Sequence, residues 1–180
     1  GAVPVGDDPG ILATGVGARG GAVHEKVLPA GSVDLLNRLG STGHAALSGW
    51  TLAGGTGLAL HLGHRVSEDF DFFRNDPFDA PGLHSVFREQ GKYEVLQESE
   101  HTLTVISRKT KLSFSVVPDP FVYPSVPWRF ARLADARDIA LMKLVAISSR
   151  GSRKDFVDLY SILRGGWTLR ACFDALPRKH

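Results

Sequence analysis

The run Asp69-Phe70-Asp71-Phe72-Phe73 constrains this 180-residue chain more than any other stretch. On a β-strand alternate side chains share a face, so the pattern turns Asp69 and Asp71 one way while Phe70 and Phe72 point into a core. Two carboxylates then stand side by side on a rigid element. Hard oxygen ligands in that arrangement suit one or two Mg²⁺ ions. Thirteen residues lie between this strand and Gly55 of an earlier Leu52-Ala53-Gly54-Gly55-Thr56. Without Cβ atoms, Gly54 and Gly55 let the backbone approach a ligand closely, and a helix beginning near Thr56 would aim its first amides at phosphate oxygens.

A Gly-Gly turn and an Asp-x-Asp are each common; their order and spacing together are specific. An apolar residue, Gly-Gly, thirteen residues and then Asp-apolar-Asp-apolar resembles the signature of the polymerase-β-like nucleotidyltransferase superfamily. The wording Leu-Ala-Gly-Gly-Thr, Leu-Gly-His-Arg, Ser67 and Asp69 to Phe73 is similar to its AbiEii/AbiGii branch, the toxin-type nucleotidyltransferases of bacteria. A later run, Asp138 to Leu144, Ala146-Ile147, Arg150-Gly151, Lys154-Asp155-Phe156 and Asp158-Leu159-Tyr160, resembles the same branch.

The resemblance implies an α+β fold, a polymerase-β-like core whose mixed sheet of about four to five strands is flanked by helices, followed by a C-terminal helical part. It implies Mg²⁺- or Mn²⁺-dependent transfer of a nucleoside monophosphate from an NTP to an acceptor hydroxyl, with RNA, particularly a tRNA end, as acceptor and an antitoxin as partner protein. Asp69 and Asp71 would bind the metal, while Gly54, Gly55 and Thr56 would cradle the β- and γ-phosphates. Lys143 would hold the triphosphate and Asp155 would orient it; the alternative for both is an interhelical ion pair. Arg65 and Ser67, just before the carboxylate strand, read as phosphate or metal-shell contacts or as braces of their loop. Transfer to a small molecule or protein and a silent nucleotide-binding module remain open readings.

One departure stands out. Many superfamily members carry a third carboxylate on a later strand, whereas here that strand reads Lys111-Leu112-Ser113-Phe114-Ser115-Val116. Ser113 and Ser115 occupy the face where the acid is expected, which leaves two readings: one tightly held metal with another base, such as Glu98 or Asp119 reaching in, or weak or lost catalysis.

The order of elements follows from periodicity and punctuation. Residues 1–24 read as a flexible glycine-rich lead, 25–127 as the core and 128–180 as the helical part. Helices are predicted over Ser32–Leu39 with Ser32 as N-cap and Gly40 ending it, over Thr42–Ser48, and over a segment closed by Gly63. Another is expected at Ala80–Gln90, with strands at Tyr93–Glu98, Thr102–Ser107 and Leu112–Val117 forming a meander. Four prolines between Pro118 and Pro127 suggest an extended connection leaving the sheet. Beyond it, Asp135 and Asp138 resemble a capping box opening a helix from Ala136 to Ser149. A helix over Lys154–Leu163 shows Phe156, Leu159, Tyr160 and Leu163 at i, i+3, i+4 and i+7, the expected buried stripe, with Asp155 and Asp158 at its edge. A last helix is expected over Thr168–Leu176.

Composition excludes several classes. The lone Cys172 allows neither an internal disulfide nor a thiolate metal site, and a reducing bacterial cytoplasm is the expected compartment. No apolar run reaches membrane-spanning length, and the start lacks the pattern of a signal peptide. His61 and His64 have no second His or Cys cluster to make them metal ligands. Residues 1–100 carry 7 Lys/Arg against 13 Asp/Glu, and residues 101–180 carry 14 against 6. An acidic half and a basic half suit an enzyme that holds a polyphosphate or an RNA end between them.

Overall fold

A computed structural model describes residues 23–118 and 121–179. The expected lead therefore lies, apart from its last two residues, outside the described residues, as does Asp119. Seven strands form one sheet: β1 (Thr51–Ala53), β2 (Asp69–Arg74), β3 (Tyr93–Ser99), β4 (Thr102–Ser107), β5 (Thr110–Val116), β6 (Val126–Trp128) and β7 (Ala131–Leu133), in the order β3-β4-β5-β2-β1-β7-β6. β2 runs antiparallel to β1 and parallel to β5, so the carboxylate strand sits at the centre with neighbours on both sides.

The sheet is mixed and flanked by helices, as expected, but larger than expected. β6 falls at the end of the expected proline-rich connection, and β7 lies in the stretch expected to belong to the helical part. Each is three residues long, too short to display alternation, and Pro127 in β6 is tolerated because β6 is an edge strand. β7 returns beside β1 in parallel, with Arg132 N donating to Trp50 O and Ala134 N to Leu52 O, both at 2.9 Å.

One face of the sheet carries the main core. Phe70 and Phe72 of β2, Phe114 of β5, Leu103 and Val105 of β4, and Trp50 are almost fully buried. Phe72 stacks on Phe114 at 5.0 Å, and Trp50 meets Phe114 edge-on at the same distance. Helices α1 (Ala30–Ser41) and α3 (Ala80–Glu89) cover this face through Leu35, Leu36, Leu39, Leu83, Val86 and Phe87. α1 begins two residues before the predicted N-cap. Ser32 lies inside it, buried, with its hydroxyl 3.0 Å from Thr110 Oγ1, and Gly40 is passed rather than ending it. The helix predicted at Thr42–Ser48 shrinks to a 3-10 turn at Ala45–Leu47, whose backbone accepts the Trp50 indole N–H at 2.9 Å.

Helix α2 (Gly54–Leu62) follows β1 directly and closes at Gly63, whose φ of 62° is the left-handed geometry a glycine stop supplies. A second apolar cluster joins α2 to α4 (Ala136–Ser149), α5 (Arg153–Arg164) and α6 (Leu169–Ala175) through Leu58, Ile139, Ala140, Ile162, Trp167 and Cys172. Burial pushes the Cys172 thiol up to about 11, which leaves it an inert apolar filler.

Two local expectations are corrected here. Asp135 caps α4 by accepting from Arg137 N at 2.9 Å, but Asp138 does not complete a capping box. Its fully buried carboxylate accepts the Val122 and Tyr123 amides at 2.8 and 2.9 Å, tying the connection to the helix. In α5 the buried residues are Asp155, Asp158, Leu159 and Ile162, while Phe156 and Tyr160 are 55% and 60% exposed. The buried stripe lies one residue earlier than predicted, about 100° around the axis. Two aspartates, held by charges on α4 and on the segment after α2, turn the helix.

Candidate active site

Alternation on β2 does what the sequence implies. Phe70 and Phe72 are buried, Asp69 is exposed and Asp71 half-buried on the opposite face. Asp71 stands between Ala53 of β1 and Ser113 of β5, and Asp69 stands beside Lys111. Ser113 answers the question of the third acid only in part: its hydroxyl lies 2.9 Å from Thr104 Oγ1, a neutral pair in the position where a carboxylate was sought. Glu98 does not replace it. It pairs across the sheet with Leu103, whose side chain is in the main core, and its carboxylate lies 3.0 Å from His84 Nε2 of α3. It therefore faces away from Asp71.

Gly54 is shaped to the carboxylate. It has a φ of 62°, and a Cβ built on it would lie 2.5 Å from Asp71 Oδ2. A Cβ on Gly55 would run into the Arg65 guanidinium. Gly54 is therefore required by contact as well as by conformation, whereas at Gly55 only the end of the Arg65 side chain would have to give way. α2 opens at these glycines, two residues earlier than expected, with no side-chain cap on its first amides. Thr56 presents only its backbone: its buried hydroxyl meets Ser67 Oγ at 2.7 Å and lies against the Asp69 carbonyl oxygen. Ser67 also accepts from Arg65 Nη1 at 3.3 Å, so its side chain braces the loop.

Arg65 and Lys143 are drawn together by a residue the sequence left at the edge of a stripe. Asp158, fully buried, accepts from Arg65 Nε at 2.8 Å and Nη2 at 3.0 Å, pairs with Lys143 Nζ at 2.9 Å and lies 3.0 Å from His64 Nε2. Lys143 also donates to Asp155 Oδ1 at 2.9 Å, and Asp155 closes a capping box with Ser152 at the start of α5. The interhelical ion pair is thus present, and both of its partners border the candidate site. His61 lies 2.7 Å from the Ala134 carbonyl oxygen. The signal for Asp158 was its spacing: Asp155 and Asp158 are i, i+3 on a helix and share a face.

Charge divides the site into a balanced part and an unbalanced one. Burial alone would push the Asp158 carboxyl up, but hydrogen bonds from His64, Arg65 and Lys143 hold it far below the usual range. Asp155 follows the same pattern: burial opposes its ionisation, and bonds from Ser152 and Lys143 overcome that. Asp158 in turn raises Arg65. Two cations offset two carboxylates. The Asp69 and Asp71 carboxylates, by contrast, make no ion pair or hydrogen bond among the described residues. Burial, and then the Asp69 charge, pushes the Asp71 carboxyl up, while Lys111, Lys143 and Arg150 pull against it.

That excess of negative charge fits a divalent cation. Among the described residues no cluster of three or more His, Cys, Asp or Glu side chains is placed to hold a metal. Mg²⁺, however, is commonly held by one or two carboxylates, with water and substrate phosphates completing its shell. The pair is oxygen-only, outward-facing and free of internal partners, and it lies beside a helix N-terminus that favours anions.

Known proteins resemble this chain in sequence and in fold. The family model described as "Nucleotidyl transferase AbiEii toxin, Type IV TA system" matches residues 43–135. An uncharacterized protein of Aquifex aeolicus (strain VF5) is 37% identical over 138 residues, 72% of this chain, and the match spans 65% of that protein's length. Among solved structures, the antibiotic-resistance factor ANT(2'')-Ia is similar with a TM-score of 0.60 at 12% identity, over 81% of this chain and 89% of that one. JHP933 from Helicobacter pylori is similar with a TM-score of 0.51 at 20% identity, over 78% and 65%. These two likenesses establish the fold. With the matched segment running from before the glycine turn to the N-cap of α4, the chain belongs to the AbiEii nucleotidyl transferase family.

Proposed function

We propose that the chain transfers a nucleoside monophosphate from an NTP to an acceptor hydroxyl, releasing pyrophosphate, with an RNA end such as that of tRNA as acceptor. The same reading makes it the toxin of a bacterial toxin–antitoxin system, acting in the cytoplasm and restrained by a partner antitoxin. The observation that carries it is the unpaired Asp69–Asp71 couple beside the uncapped start of α2, at a turn where a side chain on Gly54 would strike Asp71.

Each residue has a part. Asp69 and Asp71 would hold Mg²⁺ or Mn²⁺, which supplies Lewis-acid charge to the transferring phosphoryl group when bound. The amides of Gly54, Gly55 and Thr56 would receive the β- and γ-phosphate oxygens. Arg65 lies against Gly55 and adds positive charge at that point, held in place by two bonds to Asp158. Lys143 uses two donors on Asp155 and Asp158 and keeps a third for a phosphate oxygen. Asp155 and Asp158 act through these cations as positioning residues. Such preorganised charge is the main lever in phosphoryl transfer.

The test is incubation with each radiolabelled NTP, Mg²⁺ or Mn²⁺, and total tRNA. Label in the RNA that disappears with Asp69→Ala supports the reading. Label confined to an aminoglycoside or a protein moves the acceptor to that class. The Thr104–Ser113 hydroxyl pair opposite Asp71 favours one second reading, a module that binds nucleotide without transfer. Calorimetric binding of Mg-NTP with no transfer to any acceptor would select it.

A further inference from the structure

The turn joining β4 to β5 has two residues, Arg108 and Lys109, closed by the pair Ser107 and Thr110. Both have positive φ, 47° and 65°. A two-residue hairpin of this kind favours Asn-Gly or Gly-Gly, because side chains crowd the backbone in the left-handed region. Here the chain keeps two long cations in that strained geometry. Their side chains are exposed and make no ion pair or hydrogen bond among the described residues, so nothing within the fold accounts for them. Lys111, exposed on β5, is the register partner of Asp69. Parallel pairing puts its side chain on the same face as both carboxylates. The turn thus sets three cations at the Asp69 end of the candidate site. Lys143 and the 74% exposed Arg150 also lie near enough to act on the Asp71 charge.

We propose that Arg108, Lys109 and Lys111 form a contact surface for the phosphate backbone of a nucleic-acid acceptor, delivering its end to Asp69 and Asp71. The acceptor's role rests on the nucleotidyl-transfer reading; the binding surface does not. An extended polyanion crossing the Asp69 end of the sheet would meet these three charges in sequence, whereas a small uncharged acceptor would need none of them. The strained turn is the discriminating feature. Cations required only for solubility have unstrained positions available elsewhere on the surface.

The experiment separates fold from binding. Affinity of the full chain for a fluorescein-labelled single-stranded RNA is measured by anisotropy over a range of KCl, without NTP or divalent metal. Arg108→Asn with Lys109→Gly installs the turn the backbone prefers, so the melting temperature rises by about 2–4 °C. Binding moves the other way. Loss of two phosphate contacts flattens the slope of log K against log salt by about 1.4, and weakens binding about 10- to 30-fold at 0.1 M salt. Lys111→Gln flattens it by about a further 0.7. An unchanged slope overturns the proposal, as does a slope that changes only together with a lower melting temperature. Equal affinity for a polyglutamate peptide overturns the assignment to nucleic acid. Because no transfer is measured, an RNA-binding chain that transfers nothing would sink the proposed function and leave this surface standing.

Discussion

Gly54 surrenders its side-chain position to Asp71, whose Oδ2 would lie 2.5 Å from a Cβ built there. A methyl group at that point has to push the carboxylate away while adopting a φ of 62°. Gly54→Ala should therefore lower stability by about 1–3 kcal/mol and abolish nucleotidyl transfer. Gly31→Ala in α1, where a Cβ meets nothing within 4 Å, serves as the control. It should leave transfer intact and stabilise by about 0.5–1 kcal/mol. Thermal melts and transfer assays on the two variants check both signs.

Asp71 is expected to trade stability for chemistry. It is a half-buried carboxylate without a hydrogen-bond partner among the described residues, and its surroundings favour the protonated form. Removing the charge should relieve that penalty. Asp71→Asn is expected to gain about 0.5–2 kcal/mol in metal-free buffer at neutral pH, to lose transfer, and to lose the stabilisation that wild type gains from Mn²⁺. Urea titrations with and without Mn²⁺ measure this. A variant less stable than wild type in both would contradict the unpaired-charge description.

The Asp158 hub should dominate acid sensitivity. Its folded carboxyl, like that of Asp155, lies below the usual range, so the unfolded chain binds protons more readily. Their contribution is fully present above the ordinary aspartate value of about 3.9 and is lost as pH falls below it toward the folded values. Asp158→Asn leaves Arg65 and Lys143 short of their shared partner and should lose about 3–5 kcal/mol at pH 7. It should also flatten the decline in stability below pH 4. Arg170→Ala, which removes an exposed pair with Asp174, should change neither.

The face α5 presents can be checked directly. Ile162→Ala should lose about 2–4 kcal/mol, whereas Tyr160→Ser, at a position 60% exposed, should stay within about 0.5 kcal/mol of wild type. The predicted periodicity would require large losses at Tyr160.

Legibility in the sequence followed the strength of each physical signal. β2 could be read because alternation over five residues coincided with a sharp chemical contrast, and α2 because a glycine marks each end. β6 and β7 escaped because three-residue strands carry no period, and the pairing of β7 with β1 depends on chain returning from far away. α5 was misread by one residue because apolar periodicity counts Phe156 and Tyr160 but cannot weigh an aspartate that three other side chains will hold. The roles read for Thr56 and Ser67 depended on where hydroxyls point, which is set by a loop folding back on a helix. Asp69 and Asp71 were placed by strand geometry alone.

β7 has a consequence beyond strand count. Because it lies beside β1 and only two residues separate it from α4, the helical half is stitched to the middle of the sheet. Cutting the chain after residue 127 would strip the Trp50 and Leu52 carbonyls of the amides of Arg132 and Ala134 and bare the flank of the strand that feeds the glycine turn. A fragment so shortened would carry an adhesive rim, prone to pairing with its own copies. The two halves of this molecule are therefore poor candidates for separate expression, and any swap of helical parts between relatives must carry residues 126–135 with them.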